Sequence, residues 1–544
     1  MLQSLLSSEF KPQQLSPLVP GLLAISAVVA LYPVGVRAIH KAEKDAALPS
    51  GIDAPVRVPY LSPGLPLLGH TLELARNSHR FLDWLLDLCH SREGKPFVLK
   101  LLGKNDLMIT AVPEHHEQIL KTQFENFIKG DHLYEMLVDV AGPNVVIIEG
   151  ERWKYQRKVL VNLFSTRVLR EHMMPIVQKH TQVLLEIFST AASDAKPIEL
   201  GELLHRFTLD SFTEIGFGSQ LGSLAAGREH PFGKALDDAL HIAAARRFVL
   251  KWVWKAKRWL NVGSERQLHE AVQVMDSLVM RIISDAIEQR SHRNDPNLDG
   301  QKAVRDIVSI ILDRMQADGQ SVEPSEVRSI ALLSLIAGRD TTANALAWLL
   351  HMLHEHPNVE GKLRAELLAR FPKLATSEDY VPSVEELQHL PYLEATISEV
   401  LRLFPIFPYT SRQCIKDTVF PDGTFVREGT DIGLPHYAMA RLPSVWGPTA
   451  AEFIPERFLD SETGEVLDIP AATSSAFGAG PRVCVGRRLA TLEMKLVVAS
   501  IVGRFHLTEV PGQDVGYKVA LSLTMKNPLV VTVERVDRVV ADSA

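Results

Sequence analysis

Long stretches in which apolar residues recur at helical spacing dominate this chain: Val168 to Ala191, Ser264 to Arg290, Pro324 to His356 and Arg487 to Phe505. The third is the most telling. Pro324 and Glu326 suit a first helical turn, and Pro357 ends the pattern. Ala331 to Ala337 is almost continuously apolar, as in a helix buried on all sides, and a helix of this length runs about 50 Å, the span of a domain. Strand patterns are few. Phe97 to Leu102 and Leu107 to Val112 flank Gly103-Lys104-Asn105-Asp106 and predict a β-hairpin, while Val519 to Leu523 and Leu529 to Val533 predict short strands near the carboxyl end. With no internal repeat and no strong punctuation after residue 70, residues 70–544 read as one mainly α domain with a small β region.

The amino terminus departs from this pattern. Gln13 to Val36 is a span of 24 residues without a charge, long enough for a bilayer core of roughly 30 Å. Pro17, Pro20 and Pro33 shorten its clean helical part, so a full span, a re-entrant segment and a signal segment stay open. A cleaved signal is disfavoured because no basic n-region precedes it, Lys11 being balanced by Glu9. Arg37, Lys41 and Lys44 follow the apolar run and place the rest of the chain in the cytosol. Residues 1–47 therefore read as a single-pass transmembrane anchor, and 48–69, with five prolines, as a stiff extended hinge. A net charge of −7 offers no reason to expect nucleic acid. The three cysteines, Cys89, Cys414 and Cys484, are too few for a disulfide framework and suit a reducing compartment.

Candidate chemistry gathers at Phe477-Gly478-Ala479-Gly480-Pro481-Arg482-Val483-Cys484-Val485-Gly486, just before the last helical pattern. A thiol there faces unpaired N–H groups and the positive end of the helix, and is expected to ionise easily. Gly478, Gly480 and Gly486 permit tight turns and close approach of a large flat ligand, and Arg482 supplies a cation for its acid groups. A lone cysteine is more often a small buried hydrophobe. Zinc lacks a second ligand at suitable spacing, and no dinucleotide fingerprint is completed. An accessible thiolate on such a loop is suited to axial ligation of haem iron. With every fixed position of Phe-x-x-Gly-x-Arg-x-Cys-x-Gly filled, the stretch resembles the haem loop of the cytochrome P450 family.

Further segments extend the resemblance over about residues 60–535. Ala337-Gly338-Arg339-Asp340-Thr341-Thr342 interrupts the long helix with a glycine that costs about 1 kcal/mol against alanine, which suggests a steric need such as a ligand against the backbone. Thr341 can bond back to a carbonyl or hold a water, and a plain helix-packing site is the bland alternative. The hexamer is similar to the family's oxygen-activation motif, which implies that Asp340 and Thr341 carry protons. Glu399 and Arg402 share a helix face, and with Arg457 in Pro455-Glu456-Arg457-Phe458 they look like the family's buried ion network, a structural element. Trp153 and Arg157 present donors on one helix face, as in the family's propionate clamp; Arg482 and Arg412 match further propionate ligands. The resemblance thus implies haem b held by Phe477, Cys484 and Gly486 of the loop, with Cys484 on the metal.

Glu117 to Gly130, Gly150 to Ser165, Phe207 to Gly218 and Tyr517 to Lys526 look like the branch of eukaryotic fatty-acid and alkane ω-hydroxylases. That implies a P450 fold behind a membrane anchor in the endoplasmic reticulum, hydroxylating fatty acids at or near the ω carbon. A sterol or terpenoid hydroxylase is the alternative within the family, and an oxygen-independent haem-thiolate isomerase or a haem sensor lies further off. No flavin or pyridine-nucleotide fingerprint appears, so an NADPH-dependent flavoprotein reductase is expected as partner. Lys154, Arg157, Lys158, Arg487, Arg488 and Lys495 could dock it, although solvated helix faces carry such charges too. The aromatic and basic run from Lys251 to Trp259 suits either a helix lying on a membrane surface or an ordinary solvated one.

Overall fold

The computed structural model describes residues 55–62, 64–293, 307–319, 323–518 and 521–536. The expected anchor at 1–47 lies outside the described residues, as do residues 48–54 and 63 of the hinge. Among the described residues no helix is long and apolar enough to cross a membrane. The hinge residues that are described join the body: β1 (Val56–Arg57) pairs in parallel with residues Thr424 and Phe425, and Tyr60 bridges Val98.

Helices dominate. In chain order those that build the site are α1 (Phe81–Ser91), α2 (Asp131–Ala141), α3 (Gly150–Leu163), α4 (Met174–Asp194), α5 (Leu200–Phe217), α6 (Pro231–Ala245), α7 (Lys251–Leu260), α8 (Gly263–Arg293), α9 (Pro324–Glu355), α10 (Pro391–Leu403) and α11 (Arg487–Val502). The segment predicted from Val168 is helical, but Leu169–Met173 forms a π turn ahead of α4. The central element is α9. Pro324 opens it, and buried side chains such as Leu332, Leu335, Leu346 and Trp348 cover it on several sides. It packs most extensively against α5 and also against α11, so the oxygen-motif segment and the cysteine-loop helix share one core.

The predicted hairpin is present, shorter than its pattern, as β2 (Phe97–Leu99) and β3 (Leu107–Ile109). It belongs to a five-stranded sheet, ordered β2-β3-β9-β6-β4, completed by β4 (Phe127–Ile128), β6 (Thr410–Cys414) and β9 (Asp431–Leu434). β13 (Val530–Arg535) pairs with β10 (Phe505–Glu509) and β5 (Ile198–Glu199), as the last apolar run predicted. The strand predicted at Val519 to Leu523 needs correction: the pairing runs between β11 (Tyr517–Lys518) and β12 (Thr524–Met525), and Leu521 to Leu523 lie at the turn between them. Leu521 and Leu523 pack into the core from this turn instead of alternating across a sheet, and residues 519–520 lie outside the described residues.

Helix α7 forms where the aromatic and basic run was noted, with Trp252 70% and Trp259 85% exposed. Trp254 is buried under the Arg246 guanidinium, 4.4 Å from its ring centre. Two of the three tryptophans, not all three, are therefore available to a surface.

Candidate active site

The cysteine loop is shaped by its glycines and by one neighbour. Gly478 and Gly480 have φ of +72° and +65°, a region that L side chains avoid. A Cβ on Gly480 would also fall 2.0 Å from the Leu120 carbonyl oxygen, in the π turn Gln118–Thr122. The close approach made at Gly480 is thus by protein backbone. The Cys484 N–H donates to the Phe477 carbonyl at 2.9 Å and Val483 N–H to Gly480 at 3.0 Å, closing the loop ahead of Gly486, which caps α11. Cys89 and Cys414 are buried, whereas Cys484 is exposed. Its thiol nonetheless lies in a recess, and its pKa corrects the expectation of easy ionisation: enclosure raises it, offset in part by the Gly486 and Arg487 N–H groups and by Arg157 and Arg487. The helix start contributes as expected, but desolvation outweighs it.

Beside the loop, cations outnumber carboxylates in a buried setting. Arg412 on β6 is buried, its Nε has no hydrogen-bond partner among the described residues, and burial together with Arg482 pushes its pKa down to about 10. Lys129 is pushed well down by burial, Arg412 and Arg482, with Glu149 alone opposing. Arg482 donates to the Val145 and Ile148 carbonyls at 3.0 and 2.9 Å, pairs with Glu149, and lies 4.7 Å above the Trp153 ring. Arg157 donates to the Val483 carbonyl at 2.5 Å and lies in the fields of both Cys484 and Arg482. Three guanidinium groups and Lys129 around one carboxylate, Glu149, leave a donor set suited to a dianion. That set, next to an accessible sulfur, fits haem with its two propionates. Lys129 and Glu149 escaped sequence reading, because an isolated Lys in Phe-Ile-Lys-Gly has no spacing signal; the fold alone brings it to Arg412.

On α9 the Thr341 hydroxyl donates to the Ala337 carbonyl at 2.5 Å, the back-bond anticipated for it. Ala337 is exposed although most of the helix is buried, so this turn borders open space. Gly338 answers a different need from the one expected. A Cβ there would come within 2.0 Å of the Phe212 ring on α5, so helix packing, not a ligand, requires the glycine. The Asp340 carboxylate accepts from Arg339 at 2.8 Å and lies 3.9 Å from His205 Nδ1. Burial raises its pKa to about 6 against the pull of Arg339, with Asp237 adding to the rise. Arg339 in turn binds both oxygens of Asp237 on α6, tying α9 to α6.

The Glu399 network is fully formed. Arg402 donates to both Glu399 oxygens at 2.6 and 2.8 Å and to the carbonyls of Ala440, Ala450 and Glu452; Arg457 reaches Glu399 at 3.3 Å. The proposed docking cations are less uniform than the sequence suggested. Lys495 is buried against Glu394 and Arg157 turns inward, which leaves Arg487 and Arg488 exposed, with Lys154 and Lys158 paired to Glu151 and Asp318.

The sequence model of the cytochrome P450 family matches residues 59–533. The chain is 32% identical to Cytochrome P450 94A2 of Vicia sativa over 86% of its length and 90% of that protein. It is 34% identical to Cytochrome P450 CYP94D108 of Paris polyphylla over 85% and 90%, and 32% identical to Cytochrome P450 86B1 of Arabidopsis thaliana over 86% and 85%. The crystal structure of the cytochrome P450DA heme domain superposes with a TM-score of 0.73 at 22% identity, covering 89% of this chain and 99% of that one, and shares its fold.

Proposed function

The chain belongs to the cytochrome P450 family, haem monooxygenases with a cysteine-thiolate iron ligand, and from that premise we propose that it hydroxylates fatty acids at or near the ω carbon while anchored in the endoplasmic reticulum membrane. The cationic recess beside Cys484 carries the cofactor half of this reading. Cys484 is the iron ligand, with Phe477 and Gly486 shaping its loop, and Trp153, Arg157, Arg412 and Arg482 hold the propionates together with Lys129. Bound there, haem supplies dioxygen activation and transfer of one oxygen atom to a C–H bond.

The protein's own groups govern proton supply and position. Asp340, with a pKa of about 6, exchanges protons near neutrality. Thr341 can release the Ala337 carbonyl and pass a proton toward the exposed turn of α9. A separate reductase delivers electrons; an NADPH-dependent flavoprotein docking on Arg487, Arg488, Lys154 and Lys158 fits the exposed cations. Helix α7 rests on the membrane surface through Trp252 and Trp259, with Lys257 and Arg258 beside them. The fatty-acid assignment draws on the likeness to ω-hydroxylase segments in the sequence.

Titration of the purified holoenzyme with saturated fatty acids and with sterols, followed by the haem spin state and product analysis, tests the reading. Hydroxy acids oxidised at the terminal carbon or its neighbour are the expected products. Sterol turnover with no response to any fatty acid would overturn it.

A further inference from the structure

Away from the haem site, one group of three side chains brings metal-ligating atoms together among the described residues. His351 and Glu355 on α9 and Glu509 on β10 each offer one such atom, all within 4.8 Å of one another. His351 and Glu355 are four positions apart and so share a face of α9. Strand β10 packs against that helix and supplies Glu509, whose Oε1 accepts from His351 Nδ1 at 2.6 Å. The imidazole also meets the Trp348 ring edge-on, with centroids 5.9 Å apart. Trp348 is itself held by its Nε1–H on the Leu523 carbonyl and by stacking on Phe404. The histidine is therefore fixed in place by its surroundings before any ligand arrives.

Charge in this group is left unbalanced. The side chains of Glu509 and His351 are only 10% and 13% exposed, and neither glutamate has a Lys or Arg partner at ion-pair distance among the described residues. The Glu355 carboxylate has no hydrogen bond or ion pair there at all, yet its place on α9 brings it close to Glu509. Two carboxylates held this near repel, and more strongly where one is almost enclosed. Glu355 is also the last residue of α9, where the partial negative charge of the helix end favours a cation. A divalent ion relieves both conflicts. One imidazole nitrogen with two carboxylate oxygens, leaving a position for water, is a ligand set for zinc, whereas calcium and magnesium prefer shells of oxygen alone.

We propose that His351, Glu355 and Glu509 bind a zinc ion that pins the carboxyl-terminal end of α9 to β10. Zinc takes the place of the proton between His351 Nδ1 and Glu509, and the ring proton moves to Nε2. Bonds of about 2.0–2.2 Å draw the ligand atoms closer together than they stand without the ion. Glu355, exposed and without a partner, is the side chain free to close that gap. The ion is a brace: His351 follows Asp340 by three helical turns, about 16 Å along α9, too far to touch the reacting atoms. This site does not depend on which substrate the enzyme oxidises.

The test treats the holoenzyme with a chelator, dialyses it against zinc chloride, and measures bound zinc by elemental analysis and the thermal midpoint with and without the metal. Wild type should take up one zinc per chain at concentrations on the order of micromolar and unfold at a higher temperature when it is bound. Glu355→Gln, at an exposed position with no partner to lose, should fold like wild type, bind zinc at least about tenfold more weakly and lose the zinc-dependent rise in midpoint. Glu355→His, which offers a second imidazole one turn from His351, should bind zinc at least as tightly as wild type. Calcium chloride in place of zinc should leave the midpoint unchanged. The site is overturned by a wild-type chain that takes up no zinc below millimolar concentration, by Glu355→Gln binding zinc and being stabilised as wild type is, or by equal stabilisation with calcium.

Discussion

Gly338 lies directly against the Phe212 ring, where a Cβ would approach Cε1 to 2.0 Å. The contact joins α9 to α5, the most extensive helix pairing among the described residues. Gly338→Ala must therefore push the ring or the helix aside, and overpacking of this kind costs typically about 1–3 kcal/mol. Denaturant unfolding should show that loss, and Phe212→Leu should restore part of it in the double variant. A Gly338→Ala protein as stable as wild type would remove the packing explanation.

Glu399 and Arg402 are 0% and 1% exposed at their side chains, and all the arginine's donors are directed at Glu399 or backbone carbonyls. Removing one member leaves the other charged and buried, at about 3–5 kcal/mol. Arg402→Lys is nearly as damaging, since an ammonium cannot serve five directions in a plane. Both Glu399→Ala and Arg402→Lys should lower the unfolding midpoint sharply and reduce haem retention; a midpoint within error of wild type for either would refute the structural role.

The reach of sequence reading follows the range of the interactions involved. The turn that closes Phe477 to Cys484, the Thr341 back-bond and the Glu399–Arg402 pair depend on neighbours a few positions apart, and all three form as expected. Gly338 was misjudged because Phe212 belongs to a different helix, and no local pattern points from one to the other. Cys484 shows the same division: the helix start that favours its thiolate is local, while the enclosure that outweighs it is a property of the whole fold. Lys129, Glu149 and Asp237 carry no spacing signal and acquire meaning only from the strands and helices that face them.

Glu493 on α11 is fully buried, and neither of its oxygens has a hydrogen-bond partner among the described residues. The Thr342 hydroxyl pulls its pKa down, yet burial raises it to about 8 from 4.5. In that interval the folded chain holds a proton that the unfolded chain releases, so stability falls as pH rises from about 4.5 to 8. Glu493→Gln removes this dependence. Its thermal midpoint relative to wild type should be higher above pH 8 than near pH 5; a difference that does not change with pH would show that Glu493 is not protonated in the fold.

Asp237 acts on Asp340 through Arg339. The charged or titratable groups acting on the Asp340 carboxylate are Arg339 on its own helix, Asp237 from α6, His205 from α5 and Lys518 from β11. His205 is held down to about 4 and is neutral in the working range. Arg339 and Lys518 favour the Asp340 carboxylate, while Asp237 disfavours it and occupies Arg339. Asp237→Asn removes the one negative neighbour, so the Asp340 pKa should fall below its value of about 6. If Asp340 passes protons during turnover, the acid limb of product formed per NADPH consumed should move to lower pH in Asp237→Asn and return with Asp237→Glu. Asp340→Asn should abolish that limb. A merely structural tie between α6 and α9 would lower activity at every pH and leave the limb where it stands.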